Sequence, residues 1–547
     1  MRTVRLLLAL LLGLAGCAAR GKPAAPVAPP ILFDDLGTHH HPVTTRSTEA
    51  QRWFDQGLRL VWGFNHDEAT RAFQEAVRLD SGCAMAWWGI ALAAGPNYND
   101  PGNRDRDRRA YEALQEALRL RPQVSTPERA YIDALAQRYT KEPPPDRKAL
   151  DVAYADAMRE VARRYPDDLD AATLFAESLM DLRPWDLWTT DGRPQPGTEE
   201  IVATLESVLA RDPRHPGANH YYIHAVEASP HPERGLAAAD RLRDLVPGAG
   251  HLVHMPSHIY MRTGRYAEAA DANTRAVAVD EHYIAVAKPD GIYLMMYYPH
   301  NIDFLWSAAS MEGRSAETIR AARHLEAVVG AHPEMLRQMP DIEGLAVTAR
   351  FALARFGRWQ EILAEPPPPE DLPFATGMHH YARGLAFART GRLDAAAAEL
   401  AALRAVTDTT AADRPLMQVN KQKDVLALAS ALLAGELAAA RGRTDEAVRE
   451  LREAVRRQDE LRYMEPPPWY YPVRQSLGAV LLSAGRVKAA ETVYREDLRH
   501  NPENGWSLYG LARSLRAQQR NAEAAGVAER FRRAWTRADV QLAASRF

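Results

Sequence analysis

Cysteine is nearly missing from this chain: its 547 residues include two, Cys17 and Cys83. Thiolate clusters are therefore excluded, and without a CxxCH stretch no haem is attached covalently. Long apolar runs are scarce as well. Leu6–Leu14 is too short for a stable membrane span, and no later run approaches the roughly 20 apolar residues a bilayer requires. Charge of one sign is also lacking. With 68 Lys and Arg against 71 Asp and Glu, the formal charge is −3, which gives no electrostatic case for a nucleic-acid partner. There is no phosphate-binding loop, no GxSxG and no HExxH, so nucleotide chemistry and the common hydrolase plans have no support. Alternating strand patterns of useful length are absent too.

What is present starts with MRTVRLLLALLLGLAGC (1–17). Arg2 and Arg5 form a positive region ahead of the short apolar one, the pattern of a secretory leader. Leu14-Ala15-Gly16-Cys17 resembles the bacterial lipobox. The resemblance implies a signal peptide over residues 1–16, cleavage before Cys17 and lipidation of Cys17, which leaves Cys83 without a disulfide partner. Ala18 stands where an aspartate would favour retention at the inner membrane. The implied location is the bacterial cell envelope, lipid-anchored at the outer membrane and facing the periplasm. Residues 17–47, rich in Ala and Pro over 18–33, read as a tether between lipid and body.

The body is self-similar. GRYAEAADANTRAVAVD (264–280), GRLDAAAAELAALRAV (391–406), GRTDEAVRELREAVRRQ (442–458) and GRVKAAETVYREDLRHNP (485–502) each open on Gly-Arg and continue at helical spacing. Gly-Arg recurs at 264, 313, 357, 391, 442 and 485, and Gln519-Arg520 fills the slot 34 residues after the last. These segments resemble the tetratricopeptide repeat (TPR) superfamily of helix–turn–helix units. Asp212-Pro213 and Asn501-Pro502 occupy the exit positions. The resemblance covers most of residues 48–540, as about eight or nine units, several degenerate. It implies an all-α, right-handed TPR-like solenoid with N-terminal repeats over 48–165, histidine-rich central repeats over 166–315 and C-terminal repeats over 316–547. KEPPPDR (141–147), EPPPPED (365–371) and MEPPPWYYP (464–472) interrupt the repeats as loops, because consecutive prolines cannot continue a helix.

Histidines cluster in the central repeats. ANHYYIHAVE (218–227) carries His220 and His224, and GHLVHMPSHIYM (250–261) carries His251, His254 and His258. His254 and His258 each lie 34 residues after His220 and His224, so stacked repeats place the pairs at equivalent points on neighbouring helices. His220 is expected beside His254, and His224 beside His258. His220, His224 and Glu227 share one helix face, as do His251, His254 and His258. Aligning the repeat marks adds His300 and, more distantly, Asp303 and Glu177 to the same stripe. Pro256 interrupts the second histidine helix and should kink it. The aromatic stretch GIYLMMYYPHN (291–301) and Trp185 and Trp188 in SLMDLRPWDLWTTDGRP (178–194) are candidate walls or core filler. His215, His231, His332 and His500 sit near prolines in turns and read as structural. His39, His40 and His41 sit beside the tether and are expected to be solvated.

Nitrogen and oxygen donors without thiolate suit a divalent metal, zinc, copper, iron or manganese, with ligand supply enough for two ions. The plain alternative is a buried polar network that ties adjacent repeats together. The sequence therefore points to an envelope-anchored scaffold with a metal site in its central groove, binding a peptide or protein partner. The runner-up is a metal-dependent enzyme, hydrolase or oxidoreductase, built on the same solenoid.

Overall fold

The computed structural model describes residues 30–289 and 291–547; the leader, Cys17 and the expected lipidation lie outside them. The architecture is all-α: antiparallel helix pairs follow one another along the chain, and the described strands form a single two-stranded ribbon, Pro415–Leu416 with Asn420–Lys421. Pairs marked by Gly-Arg are joined by others that the marks do not announce, such as Ala84–Ala94 with Arg104–Leu120 and Thr126–Leu135 with Lys148–Arg164. No helix among the described residues is long and apolar enough to cross a membrane.

The Gly-Arg mark has a structural cause. Gly264, Gly313, Gly357, Gly391, Gly442 and Gly485 all have φ between 66° and 78°, the left-handed conformation that ends a helix at no steric cost to glycine. The following Arg N–H then bonds a carbonyl five residues back, as Arg265 does with Tyr260 at 2.8 Å and Arg486 with Leu481 at 2.9 Å. Gln519 adopts φ 61° and Arg520 makes the same bond to Leu515. Phe64 is a further copy: its φ is 56°, and Asn65 N–H bonds Leu60. The three proline-rich stretches are loops.

Two large apolar cores divide the array. One gathers residues from Leu36 to Met311 with Met464, the other residues from Tyr298 to Val527. The helix Tyr298–Met311 supplies both. The C-terminal units fold back on the central ones. Trp506 donates to the Ser310 carbonyl at 3.0 Å, Arg462 pairs with Asp186 at 2.6 Å and Arg537 with Asp271 at 2.7 Å. The segment after Leu461 is thereby carried onto the central first helices.

Residues 30–47 differ from a free tether. Leu36 is buried, Gln56 holds both the Phe33 amide and the Ile31 carbonyl, and Gly248 N–H bonds the Asp35 carbonyl at 2.9 Å. Thr44 bonds Glu128 through both its amide and its hydroxyl at 2.6 Å. Residues 30–47 therefore form a strap on the body. Their polar groups find fixed partners there, which composition alone does not reveal.

Candidate metal centre

The first histidine helix, Pro216–Glu227, starts on His215, whose Nδ1 accepts the Ala218 N–H, with Pro216 at the first helical position. Every residue of this helix is buried. Gly217 lets it approach Trp62: a Cβ there would lie 2.6 Å from the indole. That contact sets His220 against the Trp62 carbonyl. The second histidine helix is divided into Gly250–His254 and Pro256–Arg262, as Pro256 requires, and Ser257 Oγ donates to the His254 carbonyl at 2.7 Å. The backbone at Met255 stays right-handed, so His251, His254 and His258 keep one face. GIYLMMYYPHN forms a π-helical turn, Tyr293–Tyr297, running into Tyr298–Met311 and delivering His300. Such turns are frequent at functional sites.

The seven expected residues are brought together. Ligand atoms of His220, His224 and His251 lie within 4.8 Å of one another, as do those of His254, His258 and His300, and those of His224, Glu227 and His258. The outer nitrogens are held by acceptors. His220 Nδ1 bonds the Trp62 carbonyl at 2.6 Å, His224 Nδ1 bonds Glu227 Oε1 at 2.7 Å, and His258 Nδ1 bonds Glu227 Oε2. His254 Nδ1 bonds Asn273 Oδ1 at 2.7 Å, and that amide is oriented by donating its own N–H to Ala269. These four rings therefore carry their proton on Nδ1 and present an Nε2 lone pair inward.

The inward nitrogens crowd together. His254 and His258 Nε2 are 2.8 Å apart, and His220 and His251 Nε2 are 3.2 Å apart. His251 Nε2–H can donate to His220. Two Nδ1-protonated rings such as His254 and His258 have no donor between them, so the gap calls for a cation, a proton or a metal. His224 Nε2 is buried with no hydrogen-bond partner, and so is His251 Nδ1. Burial pushes His220, His224, His251 and His254 below the usual histidine range, helped at His220, His251 and His254 by neighbouring imidazoles. The same two causes take His300 down to about 3. Burial alone would raise Glu227, but attraction to and hydrogen bonds from the His258 and His224 rings outweigh that and hold it well below the carboxylate range. His220, His224, His251, His254 and His300 are thus held toward the neutral form, in which imidazole binds metal, beside one anion.

The register differs from equal 34-residue steps in one detail. His220 meets His251 rather than His254, while His224 does neighbour His258, with ring centroids 5.3 Å apart. The two-part helix brings His251 inward ahead of His254. Glu177 and Asp303 are not among the residues at the centre. Glu177 belongs with Asp181 near Arg138, and Asp303 accepts the Trp306 indole N–H at 2.6 Å. Each carboxyl is held by a nearer partner, Asp303 by Trp306 on its own helix and Glu177 by Asp181, which turns it away from the aligned slot.

Several participants come from elsewhere in the chain. The Phe64 ring sits 4.6 Å from His220 and is stacked 5.7 Å from His251. Trp185 lies 5.6 Å from His224, Tyr297 4.8 Å from His251 and Phe304 4.6 Å from both His254 and His258. Phe64 and Trp185 both have φ 56°, a conformation uncommon for bulky residues and often found where a site demands it. Tyr463, just ahead of the proline-rich loop, sets its one hydroxyl proton between two carboxylates, 3.1 Å from Glu227 and 3.0 Å from Glu465. Trp185 was legible as a candidate wall. Phe64 and Tyr463 carry no local signal, because only the closure of the array brings them here.

The strap histidines form a different group. His39 Nε2 and His215 Nε2 bond Asp170 Oδ1 at 2.9 and 3.0 Å, and His41 Nδ1 bonds Oδ2 at 2.7 Å. Only His40, paired with Asp55, remains exposed. His39 and His41 are thus packed against the body rather than solvated, because Asp170 supplies the acceptor that makes their burial tolerable. His215, expected in a structural role, has one: it caps a helix and bonds Asp170.

Fold and turn chemistry together define an all-α solenoid protein of TPR-like helix pairs. No family model and no curated protein matches the chain. Among solved structures it is similar to the APC/C hetero-tetramer Cut9–Hcn1, with 12% identity over 89% of this chain and 76% of that one at a TM-score of 0.29. It is likewise similar to the human IFIT1 dimer with m7Gppp-AAAA, with 12% identity over 90% and 91% at 0.32. The P58(IPK) TPR domain aligns with 12% identity over 86% and 99% at 0.21. Overlaps this loose carry nothing about the site.

Proposed function

We propose that this chain is an envelope-anchored, TPR-like binding protein whose central repeats hold a transition-metal centre, of zinc, copper, iron or manganese. The ligands are His220, His224, His251, His254, His258 and His300, with Glu227 orienting His224 and His258 from outside. One observation carries the reading: inward Nε2 lone pairs converge, and the buried one on His224 has no donor. A proton between His254 and His258 would satisfy that pair alone. A metal satisfies the whole set. Anchoring through Cys17 at the periplasmic face of the outer membrane and a peptide or protein partner follow from the lipobox and repeat resemblances. Elemental analysis of full-length protein purified without a histidine tag tests the centre. Stoichiometric metal that disappears in His224→Ala/His258→Ala supports it, and a metal-free protein whose variant loses only stability overturns it.

A second reading, a metal-dependent enzyme, has its own observation. A cavity of about 530 Å³ borders Trp185, Arg262, Tyr463 and Glu465 beside the centre. Burial pushes the Glu465 carboxyl up to about 7, and its Oε2 is unpartnered, which suits a general acid or base. This reading is set aside if Glu465→Gln leaves every metal-dependent turnover unchanged.

A further inference from the structure

The cluster is large for one ion. Its six imidazoles divide into two complete sets of three, each with ligand atoms inside 4.8 Å. Glu227 bonds one member of each set through Nδ1, so it ties the two sets in register while belonging to neither. His224 and His258, the two rings it holds, are 5.3 Å apart by centroid. An ion in each set would therefore be a close neighbour of the other.

Charge then narrows the metal. An imidazole binds a metal as a neutral donor; five of the six rings are buried, and Phe64, Phe304, Trp185 and Tyr297 line the pocket. Glu227 is the anion bonded to the cluster, and Arg262 adds positive charge nearby by donating to the Glu227 carbonyl at 3.0 Å. Two divalent ions would bring four positive charges into a buried pocket in which Glu227 is the one carboxylate bonded to the rings and Glu465 reaches it only through Tyr463, a disfavoured excess. Two monovalent ions bring two. Zinc, iron and manganese sites usually relieve such charge with thiolate or carboxylate ligands, and neither set contains one. Copper(I) accepts three neutral nitrogens.

We propose that the six-histidine core is a paired copper(I) site, one ion held by His220, His224 and His251 and the other by His254, His258 and His300. This rests on the metal-centre reading above and adds the number and kind of ion. The test titrates metal-free, full-length protein with copper(I) under anaerobic conditions, and a parallel sample with zinc(II), and counts metal per chain. Two copper ions per chain are expected, each with three nitrogen neighbours by X-ray absorption. After oxidation, neighbouring copper(II) ions couple magnetically, so the electron-spin signal should fall well below the copper content. His251→Ala and His300→Ala should each retain one copper, with circular dichroism checking the fold. Should either variant unfold, the wild-type count and spectra decide alone. One copper in the wild type, or a full uncoupled spin signal, overturns the pair while leaving the metal-centre reading intact. Two zinc ions that copper(I) cannot displace overturn the choice of metal. Uptake of no metal at all means that the underlying reading itself has failed.

Discussion

Two histidine clusters meet across a single tryptophan. The Trp62 ring contacts His215 at 5.5 Å and His39 at 6.3 Å, while its carbonyl holds His220. On the strap side, Asp170 sits in the middle and three imidazoles donate to it. On the core side, acceptors lie at the periphery and imidazole lone pairs point to the middle. The same residue type thus makes a salt-bridge network around a central carboxylate in one place and a ring of inward lone pairs, the centre proposed for a metal, in the other. What separates them is not histidine count but which ring nitrogen carries the proton, and that is set by where the acceptors stand. His215 illustrates the point: its Nδ1 already accepts a backbone N–H, so its Nε2 carries a proton and is unavailable as a ligand.

This contrast can be broken most severely by exchanging the two sets of substitutions. His224→Ala/His258→Ala should abolish metal binding, whereas His39→Ala/His41→Ala should leave it stoichiometric. Metal at a hundredfold excess over its Kd should stabilise the wild type and the strap variant by about 2.7 kcal/mol and the core variant not at all, read by thermal unfolding. Equal loss of metal in both variants would erase the distinction. Next in size, Asp170→Ala leaves three imidazoles without their acceptor and should cost about 3 kcal/mol in denaturant unfolding with metal content unchanged.

The clusters should also differ in their response to pH. Burial would lower His41, but its bond and attraction to Asp170 raise it, and burial would raise Asp170, but its three imidazole partners hold it well below the carboxylate range. Asp170 therefore contributes stability above pH 3.8 that is lost as pH falls through its lower folded value. His41 contributes stability below pH 6.5 that is lost as pH rises through its higher folded value. In metal-free protein the depressed core imidazoles act oppositely. Protonation favours the unfolded chain, so stability declines as pH falls below 6.5 toward the His300 value of about 3. Hydrogen exchange should accordingly show residues 36–46 loosening above pH 6.5 and residues 220–258 loosening below it. Parallel behaviour would show that both clusters are of one kind. The smallest effect is expected from Tyr463→Phe, which removes one donor to Glu227. It should cost about 1 kcal/mol and change metal affinity only a few-fold, whereas Glu227→Gln should lower affinity by about 10–100-fold.

Much of the fold was legible because it rests on local chemistry. The left-handed turn at each Gly-Arg mark, the helical spacing after it and the proline-rich loops each follow from the preferences of a few adjacent residues. The membership of the core cluster was legible as well, since a histidine pattern repeating at the array period implies neighbours. Its finer pairing was not. The Pro256 break advances His251 to meet His220, and Glu177 and Asp303 are held by nearer partners, Asp181 and Trp306. The strap is not legible in composition, because the acceptor that buries His39 and His41 lies 129 or more residues away at Asp170.

The sequence by itself determined the helix pairs, the turns between them and which histidines could share a face, since these depend on backbone conformation over a few residues. Only the tertiary structure decided what the histidines became. Trp62, Asn273, Glu227 and Asp170 fix each ring's proton from different helices, and Tyr463 arrives from the far end of the array. Apart from His224, whose partner Glu227 stands three residues on along the same helix, each tautomer is set by a partner across space, and spacing along the chain carries no record of that partner.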